Sequence, residues 1–220
     1  ARTALNRGMD VYGIRRGYCG LISGEVFKME KRSVSGIIQR GGTCIYTARC
    51  PEFRHEEGLQ KAKAKCEELG LEGIVVIGGD GSFRGAQKLS ANGINTIGIP
   101  GTIDLDIACT EYTIGFDTAC NTAMEAIDKV RDTSASHERC SIIEVMGRTA
   151  GHISLWCGIS NGSEYVLIPE RKEENDVQEV IEKILSKRRI GKKHHIIVNA
   201  EGVGNSHAMA QRIEEATGIE

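Results

Sequence analysis

The sequence has few of the features that mark secreted, membrane-spanning or nucleic-acid-binding chains. Among its 220 residues only 5% are aromatic, with 1 Trp and 3 Pro. No apolar run approaches the roughly 18 residues of a spanning helix, and the opening Ala1-Arg2-Thr3-Ala4 lacks the plan of a signal peptide. Charge of one sign is missing too. The 28 Lys+Arg nearly balance 30 Asp+Glu, for a formal net charge of −2, which excludes the broad basic face that nucleic acid or an anionic membrane requires. The 8 Cys have no pair at CxxC spacing, so a zinc or redox site of that type is not written here. The thiols read as small hydrophobes of a reducing compartment. The reading is of a cytosolic, soluble protein with no nucleic-acid or membrane partner.

Glycine is what the chain has in excess, 27 residues, or about 12% against a usual ~7%. Without a collagen period, that excess implies many tight turns beside strands, where phosphate sites are built. Short apolar runs bounded by Gly recur at Val11–Ile14, Ile74–Ile77, Thr96–Ile99, Ser141–Met146, Tyr165–Ile168 and Ile196–Val198. Their continuous apolar character indicates strands covered on both faces, as in a parallel sheet. Between them lie helical stripes: Leu59, Ala62, Cys66, Leu69 ending at Gly70, then Phe116 to Val130, then Val177 to Leu185 behind a cap at Asp176. Strand and helix alternate, the signature of an α/β fold. The expected architecture is two doubly wound, three-layer (αβα), Rossmann-like units with mainly parallel sheets. A boundary is placed near Gly115, with the helix from Phe116 as the bridge, giving units 1–115 and 116–220. The first residues read as the tail of a helix entering a strand, so the chain is expected to be a piece of a longer protein.

Chemistry concentrates where strands end. The run Ile74–Ile77 passes into Gly78-Gly79-Asp80-Gly81-Ser82 and a helix predicted to start near Phe83. Small residues there let backbone N–H groups approach a phosphate, and Asp80 suits a divalent cation that bridges phosphates. A plain βα turn with Asp80 as a cap reads the same residues equally well. The next strand is predicted to end in a Pro100-Gly101 turn followed by Thr102-Ile103-Asp104-Leu105-Asp106. Two carboxylates at that spacing suit metal-assisted phosphoryl transfer, one of them accepting a hydroxyl proton; a pair of turn-forming residues is the other reading. Arg49, Arg139 and Arg148 stand at loops or strand ends, where guanidinium forks fit phosphate oxygens.

Taken in order, RSVSGIIQRGGT (32–43), ARCPEFR (48–54), GGDGS (78–82), PGTIDLD (100–106), TIGFDTACNTAMEAIDKVRDT (113–133), SHER (136–139), EVMGR (144–148) and IPE (168–170) resemble the ATP-dependent 6-phosphofructokinase family over the whole chain. The resemblance implies transfer of the ATP γ-phosphoryl group to the 1-hydroxyl of fructose 6-phosphate. It makes Asp104 the base, with Thr102, Asp106 and Arg148 beside the phosphoryl group. It assigns the nucleotide to Arg49, Cys50, Gly79, Asp80, Gly81 and Ser82, with Mg²⁺ on Asp80. Sugar-phosphate contacts fall on Thr102, Ile103, Asp104, Met146, Gly147, Arg148 and Glu201, and on Arg139 reaching a neighbouring subunit of a homotetramer. It also implies an allosteric site for ADP or phosphoenolpyruvate at Arg2, Lys31, Arg131, Gly162, Ser163, Glu164, Lys192, Lys193 and His194.

Gly81 and Gly101 leave room for a nucleotide α-phosphate, where pyrophosphate-using relatives tend to carry Asp and Lys. A pyrophosphate-dependent phosphofructokinase and a catalytically inactive nucleotide-sensing subunit are the alternative readings. Kinases of the NAD or diacylglycerol type share the GGDG loop but leave TID, MGR and SHER unexplained. Leu105 stands where the family usually has Asn. The family's N-terminal glycine-rich segment and C-terminal Arg and His residues are not in the sequence, so the 220-residue chain by itself is expected to be inactive.

Overall fold

A computed structural model describes residues 1–174 and 176–220. In chain order the elements are α1 (Arg2–Asn6), β1 (Tyr12–Ile14), α2 (Gly17–Ser23), β2 (Val26–Lys28), α3 (Glu56–Glu68), β3 (Ile74–Gly78), α4 (Asp80–Ala91), β4 (Thr96–Thr102), β5 (Ile114–Gly115), α5 (Phe116–His137), β6 (Cys140–Val145), α6 (His152–Ser160), β7 (Tyr165–Leu167), α7 (Val177–Arg189), β8 (His195–Ala200) and α8 (Ser206–Thr217). Short 3₁₀ turns stand at Lys31–Val34, Glu52–Arg54 and Pro169–Glu174. The chain divides into two compact units, Ala1–Ile99 and Pro100–Glu220.

In the first unit β1 and β2 form a small antiparallel pair, and β3 lies beside β4 in a second sheet. The core gathers Leu21, Phe53, Leu59, Ala62, Cys66 and Leu89 from α2, the Glu52–Arg54 turn, α3 and α4. The stripe read from sequence on α3 is therefore its buried face, and α3 ends as foreseen, with Gly70 at φ +60°. Coverage of the strands on both faces does not hold for β3. Val75 and Ile77 alternate with half-buried neighbours and are exposed at 58% and 65%, because α4 packs one face of the strand and no described residue covers the other.

The second unit is a three-layer sandwich. Its sheet runs β6-β8-β7, all parallel, and every residue of the central β8 is buried. Phe116, Cys120 and Ile127 of α5 pack with Ile153 and Cys157 of α6 on one face. Val180, Ile181 and Ile184 of α7 pack with Met209 and Ile213 of α8 on the other. Continuous burial of β8 is why its sequence reads as an unbroken apolar run. Asp176 caps α7, accepting from the Gln178 N–H at 2.8 Å.

Two local expectations are corrected. Pro100 and Gly101 are not a turn: β4 continues through them, and Gly101 and Thr102 pair in parallel with Ile114 and Gly115 of β5. Helix α4 starts at Asp80, three residues before Phe83, with Gly79 as its N-cap. The residues near Gly115 lie within the second unit, where Ile103 and Leu105 pack on the same cluster as Phe116.

Candidate active site

In the first unit β3 delivers the glycine loop to the start of α4. A Cβ on Gly78 would lie 2.4 Å from the Ser82 hydroxyl, so a larger residue here would have to displace Ser82. The Ser82 and Phe83 N–H groups donate to the Gly79 carbonyl at 3.0 and 3.1 Å. Asp80, in the first helical turn, is held by the Arg84 guanidinium at 3.1 Å and stays partly exposed. An exposed carboxylate at a helix start, with an arginine as its exchangeable partner, fits a divalent cation carried in with a polyphosphate. Nothing lies within 4 Å of a Cβ built on Gly81, and its backbone is not left-handed. Its smallness therefore serves neither packing nor backbone geometry.

Tyr18 ties this loop to the ARCPEFR segment. Its hydroxyl donates to the Ser82 carbonyl at 2.6 Å, and its ring stacks on Phe53 with centroids 4.1 Å apart and planes 2° from parallel. Burial pushes its phenol up to about 12. Lys88 of α4 donates to the Arg54 carbonyl at 3.0 Å, joining the same parts again. Arg49 is exposed and Cys50 half-buried. Sequence reasoning missed Tyr18, because a single aromatic in a seven-residue helix flanked by glycines carries no periodic signal.

In the second unit the end of β4 and the turn after it carry the carboxylates. The Asp104 N–H donates to the Thr102 hydroxyl at 3.2 Å, bending the chain back. Leu105 takes φ +55°, and Asp104 is only 8% exposed. Arg148 Nη1 lies 4.0 Å from Asp104 Oδ2 and 3.8 Å from Asp106 Oδ2. Burial pushes the Asp104 carboxyl above its ordinary range, the charges of Asp106 and Glu201 add to this, and Arg148 opposes it. Asp106 Oδ1 is buried with no hydrogen-bond partner among the described residues. An unsatisfied buried carboxylate oxygen calls for a donor hydroxyl, a cation or water.

Glu201, just past the end of β8, accepts from the backbone N–H of both Gly147 and Arg148, fixing the Met-Gly-Arg loop. Gly147 at φ +145° has its Cβ position 2.4 Å from the Ala150 carbonyl, so this turn requires glycine. Thus Thr102, Asp104, Asp106, Gly147, Arg148 and Glu201 are gathered in one place. Ile103 packs inward on the Phe116 cluster, and Met146 is 63% exposed. Arg139 stands apart, forked onto Glu220 at 2.9 to 3.1 Å.

The residues assigned to an effector fall into groups. In the first unit Arg2 donates to the Val34 carbonyl at 2.6 Å, at the turn that begins with Lys31. In the second unit the buried Glu164 accepts from the Ile196 N–H at 2.6 Å and contacts the Lys192 ammonium. Arg131 donates to the Asn161 carbonyl beside Gly162, and Ser163 keeps a buried hydroxyl without a partner among the described residues. His194 is pushed down by burial and by the charges of Lys192 and Arg131. Lys193 turns away to Glu138 at 2.6 Å.

A glycine turn from a strand into a helix in the first unit and, in the second, a buried carboxylate beside another with a guanidinium facing both are features of α/β proteins that handle phosphate. The chain belongs to the phosphofructokinase family, whose sequence profile matches residues 1–220. It is 55% identical over 219 residues to an ATP-dependent 6-phosphofructokinase of Clostridium botulinum and 57% identical to that of Clostridium acetobutylicum. Each match covers 100% of this chain and 68% of the relative. Among solved structures it resembles Pichia pastoris phosphofructokinase in the T-state, with a TM-score of 0.92 at 30% identity, covering 100% of this chain and 28% of that one. No described helix is long and apolar enough to cross a membrane.

Proposed function

We propose that the chain forms the catalytic part of an ATP-dependent 6-phosphofructokinase, which transfers the γ-phosphoryl group of ATP to the 1-hydroxyl of D-fructose 6-phosphate, giving fructose 1,6-bisphosphate and ADP. The observation that carries this reading is Asp104: a buried carboxylate, raised in basicity by burial and by Asp106 and Glu201, with Arg148 facing it. Such a group takes the proton from an attacking hydroxyl at neutral pH. As the sugar oxygen bonds to phosphorus, the bond to the ADP oxygen breaks, and Arg148 balances the charge on the transferring group. Asp106 Oδ1 accepts a hydrogen bond that positions the acceptor, and Thr102 holds the turn. Glu201 keeps the Met146-Gly147-Arg148 loop against the sugar phosphate.

Gly79, Asp80, Gly81, Ser82, Arg49 and Cys50 bind the nucleotide. Asp80 would hold Mg²⁺, which neutralises the nucleotide phosphates. The open space beyond Gly81 favours ATP over pyrophosphate as the donor. Arg139 exchanges Glu220 for a sugar phosphate on a neighbouring subunit of a homotetramer. The second unit also exposes an apolar groove of ≈ 510 Å³ lined by Tyr112, Leu155, Trp156 and Ile159, a surface suited to subunit contact. The residues for a regulatory ADP or phosphoenolpyruvate are, in the second unit, Arg131, Gly162, Ser163, Glu164, Lys192, Lys193 and His194, and, in the first unit, Arg2 and Lys31. The 220-residue chain alone is expected to lack turnover, so the assay uses the full-length protein.

The test is Asp104→Asn, assayed for fructose 1,6-bisphosphate formation. A fall in kcat of roughly 10²–10⁴-fold with the KM for ATP unchanged supports the assignment. A fall of less than about tenfold contradicts it.

A further inference from the structure

Asn199 does not match its surroundings in β8. It is fully buried, beside the core residues Ile197, Val198 and Ala200, and its Oδ1 has no partner among the described residues. A half-satisfied amide in such a place costs more than an aliphatic side chain of similar size. The other half of the amide is fully used. Nδ2 donates to the Gly204 carbonyl at 3.3 Å and to the Ser206 hydroxyl at 2.8 Å, spanning the turn that follows the strand. Ser206, the first residue of α8, donates in its turn to Glu144 Oε2 at 2.5 Å. Glu144 stands on β6 directly opposite Asn199 in the parallel register. Just beyond, the same two strands are tied again: the Glu201 N–H donates to the Val145 carbonyl at 2.9 Å, and the Glu201 carboxylate accepts from the Gly147 and Arg148 N–H groups. The far end of that loop is held separately, with the Gly151 N–H donating to Glu170 Oε1 at 2.8 Å.

We propose that Asn199, Ser206 and Glu144 are positioning residues for the reaction: a hydrogen-bond relay that clamps the turn after β8 onto β6 and so holds Glu201 and the Arg148 backbone in register. The effect on substrate rests on the assignment of the Met146-Gly147-Arg148 loop to the sugar phosphate. The relay itself does not. The turn needs such a clamp because it contains Gly202 and Gly204, the latter at φ +73°, and glycines leave a turn much conformational freedom to lose. It is also packed directly on the catalytic loop. A Cβ built on Gly202 would lie 2.3 Å from the Arg148 carbonyl, so a shift of the turn is passed to the Arg148 backbone by contact as well as through Glu201. The orphaned Oδ1 is then the cost of placing a donor on the one strand from which it can reach both the turn and α8. The three residues act through Glu201 and Arg148, not on the reacting atoms.

The test compares full-length parent, Asn199→Leu, Ser206→Ala and Ser206→Thr by amide hydrogen exchange at residue resolution in a mass spectrometer, and by the KM values for fructose 6-phosphate and ATP. Asn199→Leu removes both Nδ2 bonds and the orphaned oxygen at similar volume; Ser206→Ala, at a partly exposed site, carries the same readouts without touching the core. In both, the Gly147 and Arg148 amides are expected to exchange about tenfold faster, and the KM for fructose 6-phosphate to rise about tenfold, the size of one weakened contact to a charged group. The Gly151 amide, bonded to Glu170 outside the relay, keeps its parent rate, and the KM for ATP is unchanged. Ser206→Thr, which retains the hydroxyl, behaves as the parent. Unchanged exchange at Gly147 and Arg148 in both disrupting variants overturns the proposal, as does equal acceleration at Gly151, the mark of general loosening. Faster exchange confined to Gly147 and Arg148 with the fructose 6-phosphate KM unchanged upholds the relay and overturns the assignment of that loop to the sugar phosphate.

Discussion

Leu105 occupies a left-handed backbone position, φ +55°, that costs an L-residue roughly 1–2 kcal/mol. Asn tolerates that position better, while Leu gains packing on the Phe116 cluster. The two effects oppose each other. Leu105→Asn is therefore expected to leave unfolding free energy within about 1 kcal/mol of the parent in urea titration, whereas Leu105→Val, β-branched at positive φ, loses about 2 kcal/mol. Equal stability of the two variants would contradict the strained geometry. The same turn sets a pH dependence. Asp104 works as a base only when deprotonated, and its folded pKa lies above the ordinary carboxylate range because of burial, Asp106 and Glu201. Activity is therefore lost as pH falls through that raised value. Removing the Glu201 charge by Glu201→Gln, which can still accept from Gly147 and Arg148, should move the acid limb of kcat/KM to lower pH. A limb that stays in place would mean that another group sets it. The TIDLD motif made the carboxylates visible in the sequence, but not their environment. Burial of Asp104 comes from the fold around it, and Glu201 reaches the loop from a different strand.

At the level of elements, α4 and β8 each combine a legible pattern with a hidden cost. Gly81 sits in the first turn of α4 with open space where a side chain would go. Gly81→Ala is expected to stabilise the helix by roughly 0.5–1 kcal/mol while raising the KM for ATP, opposite movements that calorimetry and initial rates would separate. Gly58 is the contrary case. A Cβ there falls 2.3 Å from the Glu52 carbonyl, so Gly58→Ala should push α3 off the Glu52–Arg54 turn and destabilise by about 2 kcal/mol.

In β8, His195 is fully buried, with neither ring nitrogen bonded to a described residue. Burial first, then the charges of Lys192, His194 and Arg188, push its pKa from 6.5 down to about 4. The unfolded chain binds that proton more readily, so the stability His195 contributes is present above pH 6.5 and is lost as pH falls towards 4. The loss is on the order of 2 kcal/mol by pH 5. His195→Leu should remove this acid sensitivity, and urea midpoints at pH 7 and pH 5 would show it. Periodicity revealed β8 because every residue in it is buried. It did not reveal β5, with two residues, or α2, with seven, since segments that short complete no repeat. It also placed a turn at Pro100-Gly101, where the pairing with β5 keeps the strand extended.

At the scale of the whole molecule, the alternation of strands and helices was enough to give the α/β class, because the second unit buries its sheet on both faces. The exposed face of β3 could not be read, since the same apolar residues would appear in the sequence whether or not another segment covered them. The central claim is that Asp104 and the open glycine loop make this an ATP-dependent phosphofructokinase. It is tested most directly by initial rates of fructose 6-phosphate phosphorylation in the full-length protein, with Mg-ATP and Mg-pyrophosphate offered separately. Turnover with ATP alone is expected, and it should disappear in Asp104→Asn. Turnover with pyrophosphate, or none with either donor in a folded protein that still binds nucleotide, would contradict the account.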